Sequence, residues 1–286
     1  MRDFKLTCKR GSQTVQFGFC WPLWLADVDG LTEAKYTVKT EKQSGIDGEE
    51  YQGATATKRN IVIYADAKEN HEVVRERLYS FFQPRTSGTL YVQDGAVERK
   101  IDYYVEFVRF EPAGRMRRAT ISLICPDPLF KATTDERVEM AAWQGLIEWP
   151  DDLLEIAAEP FELTRKTSNL IAVVPNKSNA TRGLTITFTA TGLVENPSLF
   201  EVNRRQGFKL NQEMHSGDAV VVTTGWHNKR VRLIRNGTES EINDAWVFGS
   251  TWLQAEPGDN VYRYDAQSGI DALEVAVVST PEYWGV

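Results

Sequence analysis

Three cysteines, three histidines and four methionines are all that 286 residues contain, and each scarcity removes a class of function. Cys8, Cys20 and Cys125 are odd in number and show no CxxC spacing. Neither a disulfide framework nor a zinc cluster is indicated. Reduced, mostly buried thiols are expected, as suits assembly in a cytoplasm. His71-Glu72-Val73-Val74-Arg75 begins like a zincin helix, but Arg75 occupies the second ligand position. A G-x-S-x-G elbow, a phosphate-cradling glycine loop and a cysteine close to a histidine are all missing. The carboxylate pairs Glu49-Glu50 and Asp151-Asp152 lie in polar contexts that do not raise a carboxyl pKa. The expectation is a protein that is not an enzyme, with no catalytic residue, metal or cofactor.

Long apolar runs are also absent. The cluster from Phe17 to Leu25 is broken by Pro22 and falls far short of the ~20 residues of a membrane span. Met1 to Lys5 show no signal-peptide core, so a soluble chain without membrane insertion is expected. Nor is there a basic excess: 33 Lys and Arg against 40 Asp and Glu give a net charge of -7. A grip on nucleic acid needs a basic face to neutralise phosphates. Arg115, Arg117 and Arg118 cluster beside a turn, where a solvated strand end explains them.

What is present is an ordinary globular composition, 42% apolar and 26% charged, of a length comfortable for two domains. Eight Trp, thirteen Phe and ten Tyr tilt it toward β structure. The strongest local signals run from Asn60 to Phe130. Ile61 to Tyr64 reads as a strand, and Val74, Leu78, Phe81 and Phe82 fall on one helical face, with Asn70 placed to cap and Pro84 to stop. Ile101, Tyr103, Val105 and Phe107 then share one strand face, and Ala119, Ile121, Leu123 and Cys125 another. Pro126-Asp127-Pro128 ends the sheet. Upstream, Trp21 to Leu25 reads as core, and Asp27-Val28-Asp29-Gly30 as a turn without calcium-loop spacing.

Between Lys35 and Ala56 the chain is polar and glycine-punctuated, a long hairpin with little apolar surface to bury in its own domain. It is expected to project. From 131 to 174 the texture is mixed, and Asp135 to Ala142 fits a helical turn or an edge strand equally. Beyond it, Leu184, Ile186, Phe188 and Ala190 alternate with threonines, Asn236-Gly237 marks a hairpin, and Glu256 to Asn260 a turn. Strands at 8–12-residue spacing read as a β-sandwich.

The order of several short strings resembles one family. Tyr51-Gln52-Gly53, Arg59 to Ile63, Phe81-Phe82-Gln83-Pro84, Gly88 to Val92 and Ile124 to Phe130 look like the siphophage distal tail protein family (Dit). Trp149 to Leu154 resembles its linker element. Pro175-Asn176, Gly183 to Ile186, Ser216-Gly217-Asp218, Leu253 to Asn260 and Tyr283 to Val286 match its C-terminal half. The implied fold is mainly β. Residues 1–130 would form an antiparallel sandwich or barrel-like domain with one packed helix and the projecting hairpin, 131–174 a linker, and 175–286 a galectin-like sandwich.

The implied function is structural: a hexameric hub ring at the virion tail tip of a phage, or at the tip of a phage-tail-like particle, joining the tail tube to the host-recognition baseplate. Tail tube protein, tape-measure protein and a tail-associated baseplate protein are the implied partners, with DNA passing through unbound. The hairpin tip then becomes an expected contact between copies: Lys39, Thr40, Glu41, Lys42, Gln43, Ser44, Gly45, Ile46, Asp47 and Gly48. The rival reading is a carbohydrate-binding module recognising host glycans through Trp226, Trp246 and Trp252 of the C-terminal sandwich.

Overall fold

The computed structural model describes residues 4–45, 47–145, 164–168, 170–226 and 228–286. The chain divides into two compact units, Met1–Thr133 with Glu282–Val286, and Thr134–Pro281. Both are built of antiparallel sheets, with a single α-helix among the described residues.

In the first unit the central path runs Gln13–Phe17, Lys5–Arg10, Ser87–Asp94, Val97–Phe110, Arg117–Cys125, Arg59–Ala67 and Trp24–Asp29. Its inward side chains alternate as a half-buried sheet requires: Leu6, Cys8, Ile61, Ile63, Ile121 and Leu123 are fully buried. The helix His71–Phe81 lays Val74, Leu78 and Phe81 into this core, with Phe82 behind them. Phe82 lies 6.2 Å from the Phe17 ring and 6.4 Å from Tyr103. Asn70 stands at the N-cap but in the left-handed region (φ 53°), and its side chain makes no cap bond; its carbonyl accepts from Val74 instead.

Strict alternation fails at one place. The register between Val97–Phe110 and Arg117–Cys125 shifts between Val105 and Phe107. A bulge of this kind adds a residue and reverses the faces beyond it. Phe107 therefore points outward, 45% exposed, while Phe110 is buried. Ser122 is fully buried opposite, donating to Glu106 at 2.6 Å.

The end of the chain belongs here as well. Phe130 and Lys131 pair with Tyr283 and Glu282, and one buried cation ties the junction. Arg59 lies over the Phe130 ring (4.8 Å) and donates to the carbonyls of Gly30, Leu31, Glu33, Pro128 and Trp284 at 2.7, 3.1, 2.9, 2.8 and 2.5 Å. The strand before it runs through Asp29, so the turn starts at Gly30 rather than at Asp27. Gly30 sits at φ +83°, and a Cβ there would be driven into the Asn60 carbonyl oxygen. Gly30→Ala is expected to destabilise the first unit by about 1–3 kcal/mol from the backbone conformation alone. Urea unfolding followed by the first unit's signal checks this; an unchanged midpoint would contradict it.

The second unit is a two-sheet sandwich. One sheet runs Glu136–Glu139, Leu273–Ser279, Thr185–Ala190, Ala219–Gly225, Asn228–Arg235 and Thr238–Glu241. The other runs Ile171–Asn176, Gly258–Asp265, Ser198–Glu201 and Gln206–Lys209. Their inner faces share one core: Ile186, Phe188 and Val275 from the first, Leu199, Phe208 and Tyr262 from the second. Asn236 and Gly237 both take positive φ (51° and 74°), as a two-residue hairpin turn demands.

Two sequence expectations change here. The 131–174 span is sheet at both ends: Glu136–Glu139 is the edge strand that periodicity left open, and Ile171–Asn176 opens the second sheet. The family-like element at Trp149 to Leu154 lies outside the described residues. The terminal stretch 282–286 pairs with the first unit, not the sandwich.

Candidate assembly surfaces

Tyr36–Glu41 and Glu50–Ala56 form a two-stranded sheet of their own, paired with no other strand among the described residues. A lone two-stranded ribbon is marginal in water unless something packs on it. Lys39, Thr40 and Glu41 end the first strand, and Lys42 to Gly48 make the tip; all are exposed except Ile46, which lies outside the described residues. The tip is polar, with Gln43 donating to Glu50 at 2.7 Å. The apolar part of the ribbon is its shaft. Register and alternation put Tyr36, Val38 and Tyr51 on one face, 48%, 56% and 65% exposed. Sequence reasoning centred on the tip and missed them, although the i, i+2 spacing of Tyr36 and Val38 was readable.

A second apolar surface lies around the start of Trp24–Asp29, the last strand on the path of the first unit's sheet. Leu23 and Leu25 are buried, as expected of the Trp21 to Leu25 stretch, but Trp21 and Trp24 are not. Trp24 faces away from the core at the start of Trp24–Asp29, and Trp21 lies in the turn before that strand, so both meet solvent. Phe19, Trp21 and Trp24 form a surface cluster, Trp24 lying 5.6 Å from Phe19 and 5.8 Å from Trp21. Lys68 stands over the Trp21 ring at 6.0 Å. Exposed clusters of this kind mark contacts with other molecules.

The three tryptophans of the sandwich separate. Trp246 and Trp252 stack at 6.1 Å with 14° between planes, and Trp252 packs on Phe208 at 5.4 Å. Trp226 stands 74% exposed at the turn between two strands, its ring contacting Lys229 at 5.4 Å. His227 beside it lies outside the described residues. Beside Trp246 a cleft of about 570 Å³ opens between Asn196, Asn211, Asp244, Asp265 and Gln267.

Burial pushes the Cys125 thiol up to about 12 and Cys8 higher still, so both stay protonated at neutral pH; Cys20 is exposed. Among the described residues no three His, Cys, Asp or Glu side chains gather where a metal would sit.

Two family models match the chain. The phage tail protein RIFT-related domain covers residues 24–125, and the siphovirus-type tail component, C-terminal domain, covers 177–277. Each lies within one of the two units. Among solved structures, the chain is similar to the Dit protein of phage SPP1, described as a paradigm of hub adsorption apparatus in phages infecting Gram-positive bacteria. The TM-score is 0.71 at 16% identity over 98% of both chains. It is also similar to a chain of the phage p2 baseplate, solved in its activated conformation with calcium and with strontium. There the TM-score is 0.52 at 10% identity over 100% of both chains. No curated protein matches.

Proposed function

We propose a ring-forming role for this chain, which belongs to the siphophage distal tail protein (Dit) family and is a component of the phage tail and baseplate. Six copies close into a hub ring at the tail tip, between the tail tube and the host-recognition apparatus. The observation that carries this is the self-standing hairpin, whose shaft leaves Val38 and Tyr51 exposed and Tyr36 only half-covered, by Trp284 of its own unit.

A closed ring repeats one heterologous contact, so each copy needs two different surfaces that fit each other. The first unit offers two. The shaft residues Tyr36, Val38 and Tyr51 of one copy seat against Phe19, Trp21 and Trp24 of the next. Tail tube protein, tape-measure protein and a tail-associated baseplate protein meet the ring on its faces. With a net charge of -7, an acidic lumen lets DNA pass without sticking; a ring lined with Lys and Arg would contradict that point. Gold-labelled antibody against the chain, applied to intact tailed particles, is expected to mark the distal tip. Label along the tube, or none on particles, would overturn the placement.

A further inference from the structure

We propose that the cleft beside Trp246 in the second unit binds a neutral saccharide. Its base is rigid. Ser198 lies directly opposite Lys209 on one side and Asp265 on the other, so three hydrogen-bonded strands carry one row of side chains into the cleft. The Trp246 wall is held from behind by its stack on Trp252, and its backbone bridges to Leu210. The cleft's size falls within the ~300–1,000 Å³ of small-ligand sites.

The polar groups around it are of the kind that reads hydroxyls. A sugar hydroxyl both donates and accepts, and carboxylates paired with amides answer both roles. The Asp244 and Asn211 side chains make no hydrogen bond among the described residues, and Asp265 uses one oxygen, accepting from the Ala266 amide at 2.9 Å. Gln267 is oriented by Asn196, which donates to its Oε1 at 2.6 Å, leaving the Gln267 NH₂ for a ligand. Asn196 is itself fixed, its Oδ1 accepting from Gln212 at 3.0 Å. The indole N–H of Trp246, covered from solvent, has no partner among the described residues. The sign of charge selects among sugars. Asp244 and Asp265 outnumber Lys209, which disfavours phosphorylated or carboxylated polymers and leaves neutral glycans. The site keeps Trp246 from the sequence reading, holds Trp252 as support and excludes Trp226.

The test is a glycan microarray of neutral and anionic oligosaccharides probed with the labelled full chain, followed by tryptophan fluorescence titration of the strongest neutral binder. Neutral glycans are expected to bind. Asp244→Ala combined with Asn211→Ala, both with exposed side chains that bond no described residue, should weaken binding about tenfold or more, and Trp246→Ala similarly. Trp226→Ala should leave it unchanged. No neutral glycan bound, anionic glycans only, or full affinity in the Asp244/Asn211 variant would overturn the proposal. None of these residues lies in the first unit, so ring formation is read independently in the same samples.

Discussion

Cutting the hairpin back should leave a folded chain that no longer assembles. Val38 and Ala54 are directly opposed in the ribbon, so an Asn-Gly turn between them can replace residues 39–53 without disturbing its base. That base is anchored by the Lys35 carbonyl, which accepts from Thr57 at 2.9 Å, and by Tyr36 against Trp284 at 5.3 Å. The cut removes the polar tip and Tyr51. An aromatic anchor of this kind contributes about 2 kcal/mol or more to a contact. Its loss weakens each junction about 30-fold, and a ring needs every junction.

The expected result is monomer with the first unit's unfolding midpoint retained; rings that persist would refute the assignment. A mixing experiment sharpens it. A chain carrying Trp21→Glu and Trp24→Glu keeps its hairpin but loses its seat. Alone, each variant should be monomeric. Mixed, they should give dimers and no rings, because only one productive junction can form. Rings in the mixture, or no association at all, would show that the two surfaces do not meet.

Arg59→Ala should be the most damaging single substitution in the first unit. Arg59 is 4% exposed, and its guanidinium joins five carbonyls from three separate stretches of chain, Gly30 to Glu33, Pro128 and Trp284. Deleting it strands buried acceptors and opens a cavity over Phe130. A buried acceptor left without its donor costs about 1–3 kcal/mol, and several are stranded at once. Arg59→Lys should recover little, since a single ammonium cannot present a planar fork to five acceptors. The terminal segment should loosen in the same variant. It is then held by Arg99, which donates to Gly285 and covers the Tyr283 ring at 3.9 Å. Urea unfolding with hydrogen exchange at 282–286 measures both effects. A midpoint within about 0.5 kcal/mol of the parent's stability, the range of ordinary surface substitutions, would contradict the assigned role.

What the sequence made legible was what local physics dictates. Ile61 and Ile63, and Ile186, Phe188 and Ala190, alternate because one face of each strand is buried, and that period survives in the residue order. The helix face and the Asn236-Gly237 turn were equally local. Longer-range effects were not visible. The bulge that turns Phe107 outward depends on pairing with a strand beyond a turn. Trp21 and Trp24 looked like core because which face of a short aromatic stretch turns inward is set by its pairing with a distant strand. Nothing in sequence marks Arg59 as buried, nor Arg182, whose Nη2 meets Glu136 at 2.7 Å and the Pro175 carbonyl at 2.8 Å. The cleft is assembled from residues near 196–211, 244–247 and 265–267. Trp246 was singled out for its chemistry, but its neighbours could be found only once the strands were in register.

The central claim is that this chain closes into a ring, and its mass in solution tests that most directly. Light scattering of the purified chain with tail tube protein present, with negative-stain images of the same peak, should give six-fold rings or back-to-back pairs of them. A single 32.4 kDa particle under those conditions, with no rings in the images, would contradict the account.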